Sequence, residues 1–234
     1  MAFDGEKNYS NDLGVEKNGA KEKSNLGTKK ESKEQYEPLK VYEVKNIEDV
    51  GFGSSSKCFT EKDKLHFAVN GPLVGADGKP VGGYIDNGSK SKDFIEPSVG
   101  GGNFAVDNGV FGVGKDGKPY LIPHSELKNN STNFKRAFQN GPMLIQNGKN
   151  LREKGTSVSE YNRSGIGFTP EGDMIVVYSD QPCTLKQFTK QFEVRGCNNA
   201  IYLDGGPYAG YEDVNGSHGK LNASATKLQF FHQN

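Results

Sequence analysis

Asp204 is the residue from which the chemistry of this chain can be argued. It follows a short apolar run, Asn199-Ala200-Ile201-Tyr202-Leu203, and is followed at once by Gly205 and Gly206. A strand that ends on Asp-Gly-Gly sets a carboxylate at a sheet edge, beside main chain stripped of side chains. Glycine permits positive φ and lets a ligand approach the backbone closely. Asp-Gly is equally an ordinary turn dipeptide, so the local sequence is also satisfied by a strand running into a turn. The choice between turn and site rests on the elements that lead into it.

Those elements read as a strand, a helix and a strand. Met174 to Tyr178 is a continuous apolar run of the kind buried on both faces of a sheet. Thr184 and Gln187 then stand at capping-box spacing. Leu185, Phe188 and Phe192 fall on one helical face, and Gly196 occupies the expected left-handed cap. If the flanking strands of this unit, Met174 to Gly206, are parallel, their carboxyl ends open on one side. Ser179 and Asp204 would then lie near the same rim.

Upstream, the pattern is strands and hairpins. Leu39–Val44 and Leu65–Asn70 alternate apolar and polar residues, the second ending on Asn70-Gly71. Asp77-Gly78 and Asp116-Gly117 mark hairpin turns in two nearly identical phrases, VGADGKP and VGKDGKP. The likeness stops at the hairpin, so it is shared turn chemistry and not a repeat architecture. Between these phrases, Gly100–Gly114 suggests strand segments broken at Asp107-Asn108-Gly109, and the segment from Ser125 to Phe138 suggests one or two short helical turns. Met143-Leu144-Ile145 reads as a strand closing on an Asn-Gly turn, and Arg163–Ser179 as a hairpin about Glu171-Gly172. The expected fold is α+β: a mixed, mostly antiparallel sheet core with hairpins and one strand–helix–strand unit near the C-terminus.

Composition narrows the functions. Lys+Arg and Asp+Glu are balanced at 29 each, which gives no electrostatic case for nucleic acid or an anionic membrane. No apolar run of about 18 residues spans a membrane, and no apolar leader segment opens the given chain. Residues 1–38 mix Lys, Glu, Asn, Gly and Ser without a hydrophobic period, and read as a disordered polar tail before a single domain, 39–234. Cys58, Cys183 and Cys197 have no metal-ligand spacing, and the four histidines are scattered. A helix of about a dozen residues would separate Cys183 from Cys197 by roughly 20 Å. A disulfide needs Cα atoms under about 7 Å apart, so free, buried thiols are expected.

Several blocks in fixed order then carry a resemblance: FAVNG with a following DGKPVG, GNFAVDNGVF, QNGPMLIQNGK, NRSGIGFTPEG and RGCNNAIYLDGG. Over roughly residues 60 to 210, the chain resembles the phosphodiester glycosidase family. That family includes the catalytic domain of N-acetylglucosamine-1-phosphodiester α-N-acetylglucosaminidase, the "uncovering enzyme", and bacterial relatives. This chain departs from its pattern at Pro72-Leu73 after Asn70-Gly71, and at Pro207-Tyr208-Ala209-Gly210, where many members carry Ser.

The resemblance implies a hydrolase that releases a sugar from an anomeric phosphodiester, located outside the cytoplasm. A phosphate leaving group is already a stable anion, so it needs less protonation than an alkoxide. It needs instead a cation and oriented N–H donors. Arg163 is the candidate phosphate clamp, and Asp204 the candidate nucleophile or general base at the anomeric carbon. Gly141, Gly205 and Gly206 would give close backbone approach, and Gly71 with Asn70 and Asn108 would meet sugar hydroxyls. Both Asn-Gly pairs are also satisfied as plain turns. Asp107 is a candidate second carboxylate. A divalent cation, Ca or Mg, held by Asp204 and main-chain carbonyls is a further possibility. A noncatalytic glycan- or sugar-phosphate-binding module, or a cell-surface interaction protein, is the alternative.

Overall fold

The hairpin turns and alternating runs of the sequence fold into three antiparallel sheets that share one core. The computed structural model describes residues 40–44, 50–54, 65–97, 102–104, 107–129, 133–154, 158–206, 209–213, 216–219 and 226–231. The polar tail, Cys58 and the Pro207-Tyr208 pair lie outside the described residues.

The chain opens with strands β1 (Lys40–Val44), β2 (Val50–Ser54), β3 (Leu65–Asn70), β4 (Tyr84–Asp86) and β5 (Ser89–Lys92). It continues with β6 (Gly109–Gly114), β7 (Pro119–Pro123), β8 (Phe134–Asn140), β9 (Met143–Gln146) and β10 (Lys149–Asn150). The long hairpin β11 (Tyr161–Phe168) and β12 (Met174–Cys183) leads into helix α1 (Leu185–Glu193). Strands β13 (Asn199–Tyr202), β14 (Gly210–Asp213), β15 (Gly216–Gly219) and β16 (Thr226–Phe231) complete it. The first sheet runs β1-β12-β11-β13-β9-β10, the second β15-β14-β3-β16-β2 and the third β5-β4-β8-β6-β7.

The weight of the fold is therefore on antiparallel sheet, more than the α+β expectation gave it. The strand–helix–strand unit is present but minor. β12 and β13 are each antiparallel to β11 and flank it, so they run parallel to each other with β11 between. Gly165 pairs with both Val177 and Tyr202, which brings Ser179 and the residues after Tyr202 to the same end of the sheet.

Two sequence readings change. The Gly100–Gly114 segment begins as a 3-10 turn at Gly102–Phe104, and its strand starts only at Gly109. The helical turns expected between Ser125 and Phe138 are confined to a 3-10 helix at His124–Asn129, and from Phe134 onward the segment is strand β8. It pairs with β6 and β4, and those long-range ladders override a weak local preference.

The faces of the first sheet explain the spacing of β11 and β12. Met174, Val176, Tyr178 and Ile166 enter the core shared with Phe67 and Val69 of the second sheet and Phe111, Leu121 and Phe138 of the third. Ile175, Val177, Leu144 and Ala200 face the other way, under Phe188 and Phe192 of α1. Thr184 and Gln187 form the reciprocal cap that starts this helix, and Gly196 turns the chain at φ +72. Gly165 and Gly167 are the positions of β11 that lie beneath the two rings. A Cβ at Gly165 would stand 3.0 Å from both Phe188 and Phe192, and one at Gly167 would stand 2.8 Å from Phe192. The Gly-x-Gly of β11 is a seat for an aromatic helix face. Burying two such rings contributes about 2–3 kcal/mol each. Cys183 and Cys197 sit in this layer as free thiols.

Candidate active site

Strand β13 ends at Tyr202, and the chain then passes Leu203 into the turn Asp204-Gly205-Gly206, with Gly206 at φ +66. Three neighbouring segments hold this exit. The Tyr202 N–H donates to Pro142 O at 3.1 Å, and the Asp204 N–H donates to Gly71 O at 3.0 Å. From β11, the Leu203 N–H donates to Ser164 O, and the Ser164 hydroxyl donates to Asp204 O at 2.7 Å. Gly71 at the end of β3, Pro142 between β8 and β9, and Ser164 of β11 thus meet around the exit of β13.

Asn140 ties these segments together. Its Nδ2 donates to Tyr202 O at 2.5 Å, and its Oδ1 accepts from the Leu73 N–H at 3.0 Å. One fully buried amide of the third sheet therefore bridges to the first sheet at Tyr202 and to the segment that leaves β3. Its neighbour Gln139 does similar work: Oε1 accepts from Gly83 and Ile95, while Nε2 donates to Ile95 O and to Asn108 Oδ1. Neither amide was singled out from sequence, nor was Ser164. Their only signal was membership of the QNGP and NRSG blocks, where they read as turn or strand residues.

The Asp204 carboxyl is buried, at 6% exposure, and its Oδ2 has no hydrogen-bond partner among the described residues. Burial pushes its pKa from 3.8 up to about 6, against a lowering hydrogen bond from the Gly205 N–H. Among the described residues no cation contributes to that shift, Arg163 included. A buried acid raised to about 6, with one oxygen unpartnered among the described residues, is chemically suited to proton transfer or nucleophilic attack near neutral pH.

Arg163 is buried beside Asp204's strand, on the helix side of the first sheet. Its Nε donates to Cys183 O and its Nη2 to Ser159 O, each at 2.8 Å. The guanidinium also lies 5.7 Å from the ring centroids of both Tyr161 and Tyr202. Two of its donors are thus used to hold main chain, and its charge rests against Tyr202. The Tyr202 phenol is pushed up by burial, opposed first by Arg163, with the charge of Asp204 adding to the rise.

The remaining expected residues are placed as follows. Asn70 and Gly71 are buried at the end of β3, next to Asp204. Gly141 is buried where a Cβ would meet Asn103 O at 2.2 Å and Asn108 Cβ at 3.2 Å. Asn108 is buried in the Gln139 network, its Nδ2 donating to Phe104 O. Asp107, half-exposed, pairs with Arg152 at 3.1 Å. Among the described residues, no group of three or more His, Cys, Asp or Glu side chains is suited to hold a metal ion. A cleft of about 360 Å³ lined by Phe94, Ile122, His124 and Phe134 lies on the opposite face of the third sheet and contains none of these residues.

The model of the phosphodiester glycosidase family matches residues 63–224. The chain belongs to this family. The matched span includes every candidate residue from Asn70 to Gly206. The catalytic domain of zebrafish N-acetylglucosamine-1-phosphodiester α-N-acetylglucosaminidase, auto-inhibited by its pro-peptide, superposes with a TM-score of 0.59 over 82% of this chain and 76% of that one. At 19% identity, that likeness speaks for a shared fold. The uncharacterised protein YigE of Escherichia coli (strain K12) is 30% identical over 145 residues, which are 61% of this chain. The chain spans just over half the length of that curated relative, 56%. No described helix is long and apolar enough to cross a membrane.

Proposed function

We propose that this phosphodiester glycosidase hydrolyses a glycosyl-1-phosphodiester, with Asp204 acting at the anomeric carbon. The observation that carries the reading is the Asp204 carboxyl: buried, raised to about 6, and with Oδ2 unpartnered among the described residues at the exit of β13. At pH 7, one unit above that value, roughly nine carboxyls in ten are ionised. An ionised, desolvated carboxylate can attack the anomeric carbon or take a proton from water. The departing phosphate needs no strong acid, which suits a site with one such carboxyl.

The Gly206 main chain gives the substrate close access, since no atom of the described residues lies within 4 Å of a Cβ built there. Asn70 and Gly71 adjoin this exit and would meet the sugar, whereas the Asn108 amide is already engaged by Phe104 O and Gln139. Arg163 supplies positive charge for the phosphate. With two donors on carbonyls, it acts more as a fixed field than as a free clamp. In our reading the substrate is a small molecule or glycan met outside the cytoplasm, a location taken from the family resemblance alone.

The test is a screen of sugar-1-phosphodiesters, with and without chelator, reading free reducing sugar. Asp204→Asn and Arg163→Ala should each abolish release while the circular dichroism spectrum stays native. Wild-type kcat/KM should rise with pH through about 6 as Asp204 ionises. Full turnover by Asp204→Asn removes that residue from the mechanism. Binding of glycosyl phosphates without turnover by the wild type would favour the noncatalytic alternative. Loss of activity with chelator would point to a cation on Asp204 and main-chain carbonyls.

A further inference from the structure

We infer that Tyr202 is the positioning residue of the Asp204-Gly205-Gly206 turn, its hydroxyl filling the space where a side chain at position 205 would go. The kinetic part of this inference rests on the proposed hydrolase reading; the structural part does not.

Tyr202 is held at every point. Its N–H and carbonyl are fixed by Pro142 and Asn140. Its ring stands edge-on to Phe188 at 6.3 Å, and the Arg163 guanidinium lies 5.7 Å from its centroid. The ring is buried, at 7% exposure. Such a ring cannot swing aside, so the position of its hydroxyl is set by the sheet, the helix and Arg163 together.

That hydroxyl reaches past the end of its own strand to lie under Gly205. A Cβ built at Gly205 would stand 2.4 Å from Tyr202 Oη and 3.1 Å from Cζ, with Asn162 O next at 3.4 Å. Gly206 is glycine because of its positive φ, whereas Gly205 has no such φ. Position 205 is glycine for want of room, and the phenol oxygen takes the room. The hydroxyl therefore sets the height of the Gly205 N–H, the donor that bonds the Asp204 carboxyl. Arg163 acts on the site through this ring: it positions Tyr202, and Tyr202 positions the turn.

A double-mutant cycle tests the contact: Gly205→Ala, Tyr202→Phe and the two combined, in the full chain. The readouts are thermal melting, the Asp204 midpoint by carboxyl carbon NMR, and kcat against KM on the glycosyl phosphodiester turned over by the wild type. Gly205→Ala alone should lower the melting temperature, displace the Asp204 midpoint and cut kcat by about a hundredfold. Adding Tyr202→Phe should win back about tenfold in kcat, because the oxygen that clashes is gone. It should also return the midpoint to that of Tyr202→Phe alone. KM should change little, because the turn's geometry rather than the sugar contacts is altered.

If Gly205→Ala does not fold, recovery of a folded double variant supports the inference, and failure of both overturns it. Tolerance of Gly205→Ala in the Tyr202 background overturns it, as does a double variant no better than Gly205→Ala. If the wild type hydrolyses nothing, the proposed function fails, and the melting and midpoint readouts still decide the contact.

Discussion

Replacing Asp204 with asparagine separates the cost of burying a carboxylate from the catalytic use proposed for it. The native Asp204 holds its proton up to about pH 6, whereas the unfolded chain gives it up near 3.8. Below the unfolded value both states are protonated and no penalty is present. As pH rises, the unfolded chain ionises first, and the native state is left with either an uncharged acid or a poorly solvated anion. Stability is therefore lost between about pH 4 and pH 6, and the loss is complete above the native value. Two units at 1.36 kcal/mol each amount to a penalty on the order of 3 kcal/mol at pH 7.

Asparagine does not titrate, so it escapes this penalty. Exchanging the carboxyl for an amide carries a cost that does not titrate. That cost is the same at every pH. The quantity to measure is therefore the pH dependence of the difference in unfolding free energy. Urea melts of both proteins at steps between pH 3.5 and 8 give it directly. The difference should move in favour of Asp204→Asn by about 3 kcal/mol across that window, then stay flat. A difference that is flat throughout, or that moves in favour of the wild type as pH rises, would refute the reasoning. It would mean that the native state welcomes the charge.

Other perturbations have definite expectations. Phe192→Ala removes a fully buried ring from the seat over Gly165 and Gly167, and should cost about 3–5 kcal/mol in a denaturant melt. Gly167→Val should destabilise comparably by thermal melting, since even a Cβ there meets Phe192 at 2.8 Å and the Cys197 sulfur at 2.9 Å. Asn140→Ala leaves the Leu73 N–H and the Tyr202 carbonyl without their partner, about 1–3 kcal/mol for each group. In the same variant the Asp204 midpoint, followed by NMR, should fall toward 3.8 as water reaches the loosened turn.

Much of the fold could be read from short-range pattern. The Asn147-Gly148 and Glu171-Gly172 turns, the capping box at Thr184 and the two-faced run at Met174 are local, each set by φ preference or by side-chain period. The segment from Ser125 to Phe138 holds its helical turns only up to Asn129, and its second half is β8. What decided the matter was pairing with β6 and β4, which no window of sequence contains. The exit of β13 was foreseeable from the Asp-Gly-Gly ending. Asn140 and Gln139 were not, because a buried amide bridging sheets looks in sequence like any Asn-Gly turn. Arg163 was chosen as a cation for phosphate, but its bonds to Cys183 O and Ser159 O depend on where β12 ends, which the apolar run alone did not reveal.

The hydrogen bonds around the β13 exit also join parts of the chain that are far apart in sequence. Asn140 lies 67 residues from Leu73 and 62 from Tyr202, and Ser164 lies 40 from Asp204. Contacts of such separation form late, because each closes a long loop before any bond rewards it. A nascent or partly folded chain therefore carries Asp204 as an ordinary, solvated acid. The raised acidity constant belongs to the assembled sheets and not to the Asp-Gly-Gly sequence, so it reports on how completely the exit of β13 has been built.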